Sequence, residues 1–193
     1  MSQKIAETIA VSIRKFDAQC YDLYAAPSFG SFVRVASAAP GIEIYGVVSD
    51  ICTGPIDSSR PVVARGAGLL DEESIYRENP HFHLVLRTWF SALVVGFREG
   101  ERIVHTLPPQ PPRIHGFVYA CEEPEILAFT ARLGFLRLLM AGQASNDLVS
   151  ACLRQAAAAH GTGSEYLVHA GRELVRLLAE DPDRLNVLLP LLQ

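Results

Sequence analysis

The sequence predicts an α+β fold, in which a small antiparallel β-barrel over residues 1–121 is followed by a helical bundle over residues 122–193. Before Cys121, apolar residues tend to alternate with polar ones between prolines and glycines, which is typical of short strands. After Cys121, they recur at spacings of three and four, which is typical of helices. With 193 residues, 49% of them hydrophobic, the chain can bury a core without help from disulfides or metals.

The barrel half begins with an ambiguous segment and continues with a clear hairpin. Residues 9–14 alternate in polarity and favour a strand, although the apolar residues at positions 5, 9, 13 and 16 also fit a helix. Two β-branched runs, residues 30–37 and 42–51, flank the break at Pro40-Gly41. Two such runs joined by a short Pro-Gly connection predict a β-hairpin.

The rest of the barrel half contains a long polar excursion and a second β unit. Residues 53–80 are rich in glycine and proline, and we interpret them as a loop between strands, with one further strand considered at Pro61–Ala64. Further strands are predicted at residues 82–97, at Arg102–His105 and at Ile114–Ala120.

The second half is helical by its apolar pattern and by its capping residues. Ser145 is predicted to cap a second helix that ends at Gly161, Ser164 a third, and Asp181-Pro182 to begin a short fourth. One apolar stripe predicts the first helix, and it consists of Ile126, Phe129, Leu133, Leu136 and Met140.

Charge and hydropathy limit the kinds of partner. The formal net charge is -4, and no run of lysine and arginine occurs, so a dedicated nucleic-acid surface is not expected. The mean hydropathy of +0.19 is high for a soluble chain. Because an apolar excess is often buried against a partner, we expect a homo-oligomer.

The sequence also predicts a cytoplasmic chain without a membrane segment. The first residues show neither a long apolar run nor a cleavage pattern, and the nearly uncharged stretch Thr88–Phe97 is too short to span a bilayer. The cysteines are separated by thirty residues or more and are expected to be free thiols in a reducing compartment. They are Cys20, Cys52, Cys121 and Cys152.

The hairpin segment GSFVRVASAAPGIEIYGVVSDI resembles the HAS barrel, the small N-terminal β-barrel of HerA-type DNA-translocating ATPases and of the α and β subunits of F-type ATP synthases. The resemblance covers about a tenth of the chain. It implies a barrel that acts as an assembly element beside its neighbours in a ring of ATPase subunits and does no chemistry itself. The residues that carry it are Gly30, Val33, Val35, Gly41, Ile42, Tyr45, Gly46 and Val47.

The chain departs from that family because it lacks the ATPase motif. GxxxxGK[ST] does not occur, and the nearest text, Gly161-Thr-Gly-Ser164, has no lysine to neutralise a phosphate. The resemblance therefore implies a free-standing barrel. We predict a non-enzymatic assembly or adaptor module that forms homo-oligomers or docks a separate ATPase, nuclease or other DNA-processing partner, with no catalytic, cofactor-binding or metal-binding residues assigned.

A rival hypothesis is a metal-binding protein or metal-dependent enzyme. His81 and His83 form an HxH pair, and alternation on the predicted strand places both side chains on one face. His105 and His115 lie in neighbouring predicted strands and are the candidates to complete the site. The competing interpretation is a pair of surface histidines beside Pro80, since no glutamate follows as a cupin-type site requires.

A third hypothesis is an OB-like nucleic-acid binder. Tyr45 and Trp89 would stack bases if the barrel were OB-like, although core or interface packing is the competing use of both. A binding groove also needs flanking cations, and the candidates for that role are few, namely Arg34, Arg60 and Arg65.

Two further patterns in the sequence are candidates for a functional site. Asp50, Asp57 and Asp71 are carboxylates that would pair only if folding brought them together, and the alternative is three solvated loop acids. Gly66-Ala-Gly68 is a fragment of a dinucleotide-binding fingerprint and lacks the strand–helix context that the motif needs. No GxSxG motif of a serine hydrolase occurs.

Overall fold

The computed structural model describes residues 3–161 and 163–192, and the side chains of His83 and Ser164 lie outside that description. Six strands close into an antiparallel barrel in the order β2-β1-β7-β3-β4-β5, with β2 pairing with β5, while β6 extends the sheet beside β5. The predicted antiparallel barrel is therefore confirmed. The strands are β1 (Lys4–Val11), β2 (Lys15–Cys20), β3 (Phe32–Ala36), β4 (Ile42–Pro55), β5 (Leu86–Glu99), β6 (Arg102–Val104) and β7 (Phe117–Ala120).

The helices fall into two groups. Two short ones lie in residues 56–85, the segment between β4 and β5 that we call the insertion, and the others follow the barrel as the predicted helical tail. The helices are α1 (Glu72–Glu78), α2 (Phe82–Val85), α3 (Glu123–Thr130), α4 (Phe135–Ala141), α5 (Asn146–Ala159), α6 (Gly163–Leu177) and α7 (Pro182–Leu188), and a 3-10 helix (Leu189–Leu192) follows α7.

Two apolar cores share one wall of the barrel. Alternation in β3, β4 and β5 sends every second side chain inward, so that Ile44 and Phe90 fill the barrel. The side chains between them point outward and are buried under the helical tail. Tyr45 stacks on Phe129 of α3, with ring centroids 4.4 Å apart. The wall is therefore apolar on both faces, and the tail is packed against it.

A cluster of charged side chains connects the start of the helical tail to the same wall of the barrel. Arg34 binds the carboxylates of Glu43 at 2.8 Å and Glu125 at 2.7 Å, and Arg98 also pairs with Glu43. The Glu125 side chain accepts a hydrogen bond from the backbone N–H of Glu122 at 2.9 Å as part of a capping box. One carboxylate thus both caps α3 and ties it to the barrel.

The strand predicted from residue 82 is wrong over its first four residues. Phe82–Val85 is a short helix, and β5 begins only at Leu86. The backbone N–H of Leu84 donates to the backbone carbonyl of His81 at 2.9 Å. The Phe82 ring packs edge-on against Tyr76 of α1, with ring centroids 5.7 Å apart. This contact with α1 overrides the local β propensity.

The other strand considered in the excursion, at Pro61–Ala64, does not form either. Residues 56–71 run as an irregular segment before α1, which Asp71 caps by accepting from the backbone N–H of Ser74 at 2.7 Å. The long excursion itself is confirmed, although α1 and α2 lie within it.

The predicted first helix of the tail is split into α3 and α4. The carbonyl oxygen of Phe129 accepts a hydrogen bond from His105 Nε2 at 3.0 Å. The Thr130 hydroxyl donates to the Ile126 carbonyl at 2.6 Å, a bond that tends to bend helices. The chain then turns and restarts at Phe135, so that both short helices cover the wall.

Other predicted elements are confirmed. The strand favoured for residues 9–14 is found at residues 4–11, with the turn to β2 at residues 12–14, and β3 and β4 form the predicted hairpin around Pro40-Gly41. Ser145 caps α5 by accepting from the backbone N–H of Leu148 at 3.2 Å, and Asp181 caps α7. The predicted capping role of Ser164 lies outside the described residues.

Replacing Gly30 by alanine is expected to destabilise the fold by about 2 kcal/mol or more. Gly30 has φ +84, and a Cβ there would lie 2.6 Å from Ala151 Cβ and 2.9 Å from the Ala151 carbonyl carbon in α5. The matched control is Gly41→Ala, because Gly41 has φ +76 but no atom within 4 Å of the added Cβ. Urea unfolding should show a clearly larger loss for Gly30→Ala, and equal losses would contradict this packing.

Candidate docking surface

Strands β4 and β5 stay paired beyond the end of β3, and from the Thr53–Thr88 pair onward they also lie beyond β2 and form a two-stranded ribbon. They remain paired to the end of β4, where Pro55 lies opposite Leu86. Strand β3 accompanies β4 only to Val47, and the last bonds on that side join Val48 to the backbone of Gly30 and Ser31. In the described part of the chain, β4 has no neighbouring strand on that side after Val48. We call residues 50–55 the open edge.

The hydrogen-bonding direction of the open edge follows from its register. The backbone N–H of Ile56 donates to the Val85 carbonyl at 2.9 Å, and residues 50, 52 and 54 share that register with β5. Because bonding direction alternates along a strand, residues 51, 53 and 55 point their backbone groups away from β5. The open edge therefore directs the backbone groups of three residues away from β5, on a side where no strand lies beside them among the described residues.

Two features limit indiscriminate pairing at this edge. The backbone N–H of Ile51 donates to its neighbour's carboxylate, Asp50 Oδ1, at 2.9 Å. Pro55 has no N–H and sits at an outward position, where it removes no bond from the ladder. Natural proteins use such charged residues and prolines to blunt exposed edges.

The outer face of the ribbon carries an arginine–tryptophan pair. The Arg87 guanidinium lies over the Trp89 ring at 5.1 Å, and the ring rests beside Gly54. The Nε of Arg87 is buried without a hydrogen-bond partner among the described residues. Tryptophan and arginine are the residue types that most often dominate binding interfaces, and a buried unpaired donor needs an explanation.

The insertion adds an apolar groove next to this ribbon. The groove has a volume of about 470 Å³ and is lined by Ile56, Val63, Phe82, Leu84 and neighbouring residues, with arginines at its rim. The side chains of Val63 and Leu84 are each 68% exposed. Contiguous apolar surface of this kind marks interaction sites in soluble proteins.

The insertion is anchored to the barrel through tyrosine and threonine contacts. The hydroxyl groups of Tyr24 and Tyr76 are in contact, and the backbone N–H of Tyr24 donates to Thr88 Oγ1 at 2.8 Å. The hydroxyls of Thr53 and Thr88 are also 2.8 Å apart, across the ribbon. The groove is therefore held in a fixed position relative to the open edge.

The structure does not bring the three described histidines of the predicted site, His81, His105 and His115, together. His81 is exposed at the start of α2, so the predicted strand that placed both histidines on one face is absent; the side chain of His83 lies outside the described residues. His105 binds the Phe129 carbonyl, and His115 contacts the Glu7 carboxylate. Among the described side chains, no group of three His, Cys, Asp or Glu residues is arranged to hold a metal.

Each of the three candidate carboxylates accepts hydrogen bonds from residues close to it in the sequence. Asp57 accepts from the hydroxyl and backbone N–H of Ser59, and these bonds lower the pKa of Asp57. Asp71 caps α1, and Asp50 accepts from the backbone N–H of Ile51. The turn at Gly66 leads into α1 without a preceding parallel strand among the described elements.

The two aromatic residues singled out for base stacking have different positions. Tyr45 is buried under Phe129, and that burial raises the pKa of its hydroxyl to about 12. Trp89 is half-buried on the outer ribbon face. Of the candidate arginines, Arg34 belongs to the charged cluster at α3, and Arg60 pairs with Asp57 at 3.3 Å. The remaining one, Arg65, lies over the Phe82 ring.

Sequence reasoning missed Arg87 and the open edge. Their only local signals are the Gly54-Pro55 pair at the end of an alternating run and an arginine two residues before a tryptophan. Neither signal says where β3 stops pairing with β4, because that depends on contacts between distant segments.

The cysteines are free thiols, as predicted, and Cys20 and Cys152 are buried. Burial raises the pKa of Cys20 to about 11, which makes it a weak nucleophile. Cys52 lies on the open edge and is partly exposed.

Comparison with known proteins gives no family: no protein-family model matches the chain, and no curated protein matches its sequence. The described helices also include none with the length and apolar character needed to cross a bilayer.

Acid is expected to destabilise the fold partly through His105. Burial lowers the pKa of His105 from its ordinary value, so the unfolded chain takes up the proton first as the pH falls below about 6.5. The stabilising contribution is present above that pH and is lost as the pH falls towards the lower folded-state pKa. Urea unfolding at pH 7.5 and 5.5 should show a drop in stability that is smaller in His105→Gln than in the wild type. An identical drop in both proteins would contradict this role.

Proposed function

We propose that this protein is a non-enzymatic assembly module that joins copies of itself or docks a separate partner. The observation that carries the proposal is the open edge of β4 beside an exposed apolar groove. An unpaired strand edge offers backbone donors and acceptors, and the groove offers apolar surface. Strand addition at a sheet edge combines these two sources of affinity.

The resemblance to the HAS barrel supports the same proposal. In that family the barrel is an assembly element, and the closed antiparallel barrel of this chain is compatible with that role. We include membership of that barrel family in the proposal. The partner class that the resemblance implies is an ATPase or DNA-processing enzyme such as a nuclease, and the free thiols favour a cytoplasmic setting.

The distribution of exposed apolar side chains also favours docking at the ribbon and insertion. Several of the most exposed large apolar residues lie there, and these are Ile56, Val62, Val63, Leu70, Leu84 and Val85. The helical tail exposes single apolar side chains such as Val187, which are normal on any protein surface. A partner would gain most by covering the ribbon and insertion.

Charge placed in the groove is expected to weaken assembly without unfolding the protein. We expect wild type to show a mass above the 21.1 kDa of one chain by size-exclusion chromatography with light scattering. Val63→Asp with Leu84→Asp should shift the association midpoint at least about tenfold, because a charge must be desolvated in the contact.

The matched control is Val187→Asp, which changes a comparably exposed valine on the tail and should leave association unchanged. Circular dichroism would verify folding of each variant. A strict monomer that also co-purifies with no partner would contradict the proposed function.

A further inference from the structure

We propose that the open edge of β4 pairs with the same edge of a second copy, antiparallel, about a two-fold axis that passes through Cys52. This inference rests on the proposed assembly function and specifies how the two copies meet. A two-fold contact requires a self-complementary surface. The open edge meets that requirement in its hydrogen bonds and in its charges.

The hydrogen bonds decide which registers are allowed. Antiparallel pairing brings outward-facing residues opposite outward-facing residues. With the axis at Cys52, Ile51 of one copy lies opposite Thr53 of the other. Both residues direct their backbone groups away from β5, so each pair exchanges two hydrogen bonds once the Ile51 amide leaves the Asp50 carboxylate. Pro55 lies beyond them, at an outward position where its missing N–H removes no bond between these pairs.

The charges select this register over its neighbours. With the axis at Cys52, Asp50 of one copy lies opposite Gly54 of the other, and Arg87 is the β5 residue paired with Gly54. Gly54 has no side chain, and the atoms nearest to a Cβ built there belong to the Trp89 ring, over which Arg87 lies. Neighbouring strands are about 4.8 Å apart, which puts an aspartate and an arginine two strands apart within reach of each other.

The contact also explains two unusual features of the single chain. Arg87 Nε, which is buried without a partner among the described residues, gains a carboxylate. Asp50, which caps the N–H of Ile51 in the single chain, releases that amide to the Thr53 carbonyl of the second copy. The alternative axes at Ile51 or Thr53 would place Asp50 opposite Cys52 or Ile56 of the other copy, away from Arg87.

A second copy is the favoured occupant because the edge carries both members of the ion pair. Asp50 and Arg87 lie on the same ribbon face, as the contacts of Asp50 with Cys52 and of Trp89 with both Gly54 and Arg87 indicate. Two copies related by the axis form the pair twice. A partner of another kind would need an aspartate or glutamate in this same position relative to its own edge.

Disulfide cross-linking of the native chain tests the register directly. At the axis, the two Cys52 residues form a non-hydrogen-bonded pair with Cα atoms about 4.5 Å apart, within the range of a disulfide. Mild oxidation with copper phenanthroline should convert most of the protein to a covalent dimer on a non-reducing gel. Cys52→Ser is the control and should abolish the product, since Cys20 and Cys152 are buried and burial raises the pKa of the Cys121 thiol.

A charge exchange tests the ion pair. Asp50→Arg and Arg87→Asp should each raise the dimer dissociation constant at least about tenfold, as loss of a close interfacial charge pair does. The double variant restores an opposite pair between copies and should return to within about threefold of wild type. Sedimentation equilibrium would measure each constant, and circular dichroism would confirm that each variant is folded.

The outcomes separate this inference from the proposed function. A Cys52 cross-link together with rescue in the double variant supports the edge-to-edge dimer. An assembly that forms without the cross-link, or that ignores the charge exchange, overturns the edge pairing and leaves the assembly function standing through another surface. A wild-type monomer over the whole concentration range also overturns the edge pairing, and the assembly function then depends on a separate partner.

Discussion

The whole structure depends on one strand, β4, whose first half is buried on both faces. Ile44 points into the barrel, while Tyr45 and Val47 point outward under the helical tail. The run Ile44–Val48 is therefore almost continuously apolar, which is what a strand between two packed layers requires. If either face were polar, one of the two cores would lose part of its apolar lining, so β4 links the barrel to the tail.

The open edge follows from the same strand. Close contact between Gly30 and α5 brings the segment before β3 against the tail, and the last bonds from that segment reach β4 at Val48. A bulge between Val48 and Asp50 then shifts the register. Beyond the bulge β4 is paired with β5 alone, so its other side, which β3 covers in the first half of the strand, is available to a partner.

An element could be predicted from the sequence where the residues that determine it lie close together in the chain. The β3–β4 hairpin was predictable because Pro40-Gly41 and flanking β-branched residues lie within one window, and α5 because Ser145 and Gly161 mark its ends. The helix at Phe82 was not predictable, because packing of the Phe82 ring on Tyr76 overrides the β propensity of this segment. The split between α3 and α4 was missed for a similar reason, since His105 binds the Phe129 carbonyl from another part of the chain.

The candidate surface was less predictable than the fold, and its chemistry explains why. Asp50, Gly54 and Arg87 become a set only through the β4–β5 register, which no spacing in the sequence reveals. An aspartate that caps its neighbour's amide keeps the edge from pairing with arbitrary strands, yet that bond is exchangeable for one to a carbonyl of a correct partner. Pairing at this edge breaks the hydrogen bond between the Ile51 amide and Asp50. Only a partner that offers both a cation for Asp50 and an acceptor for the Ile51 amide compensates for that loss, so the edge favours specificity over affinity.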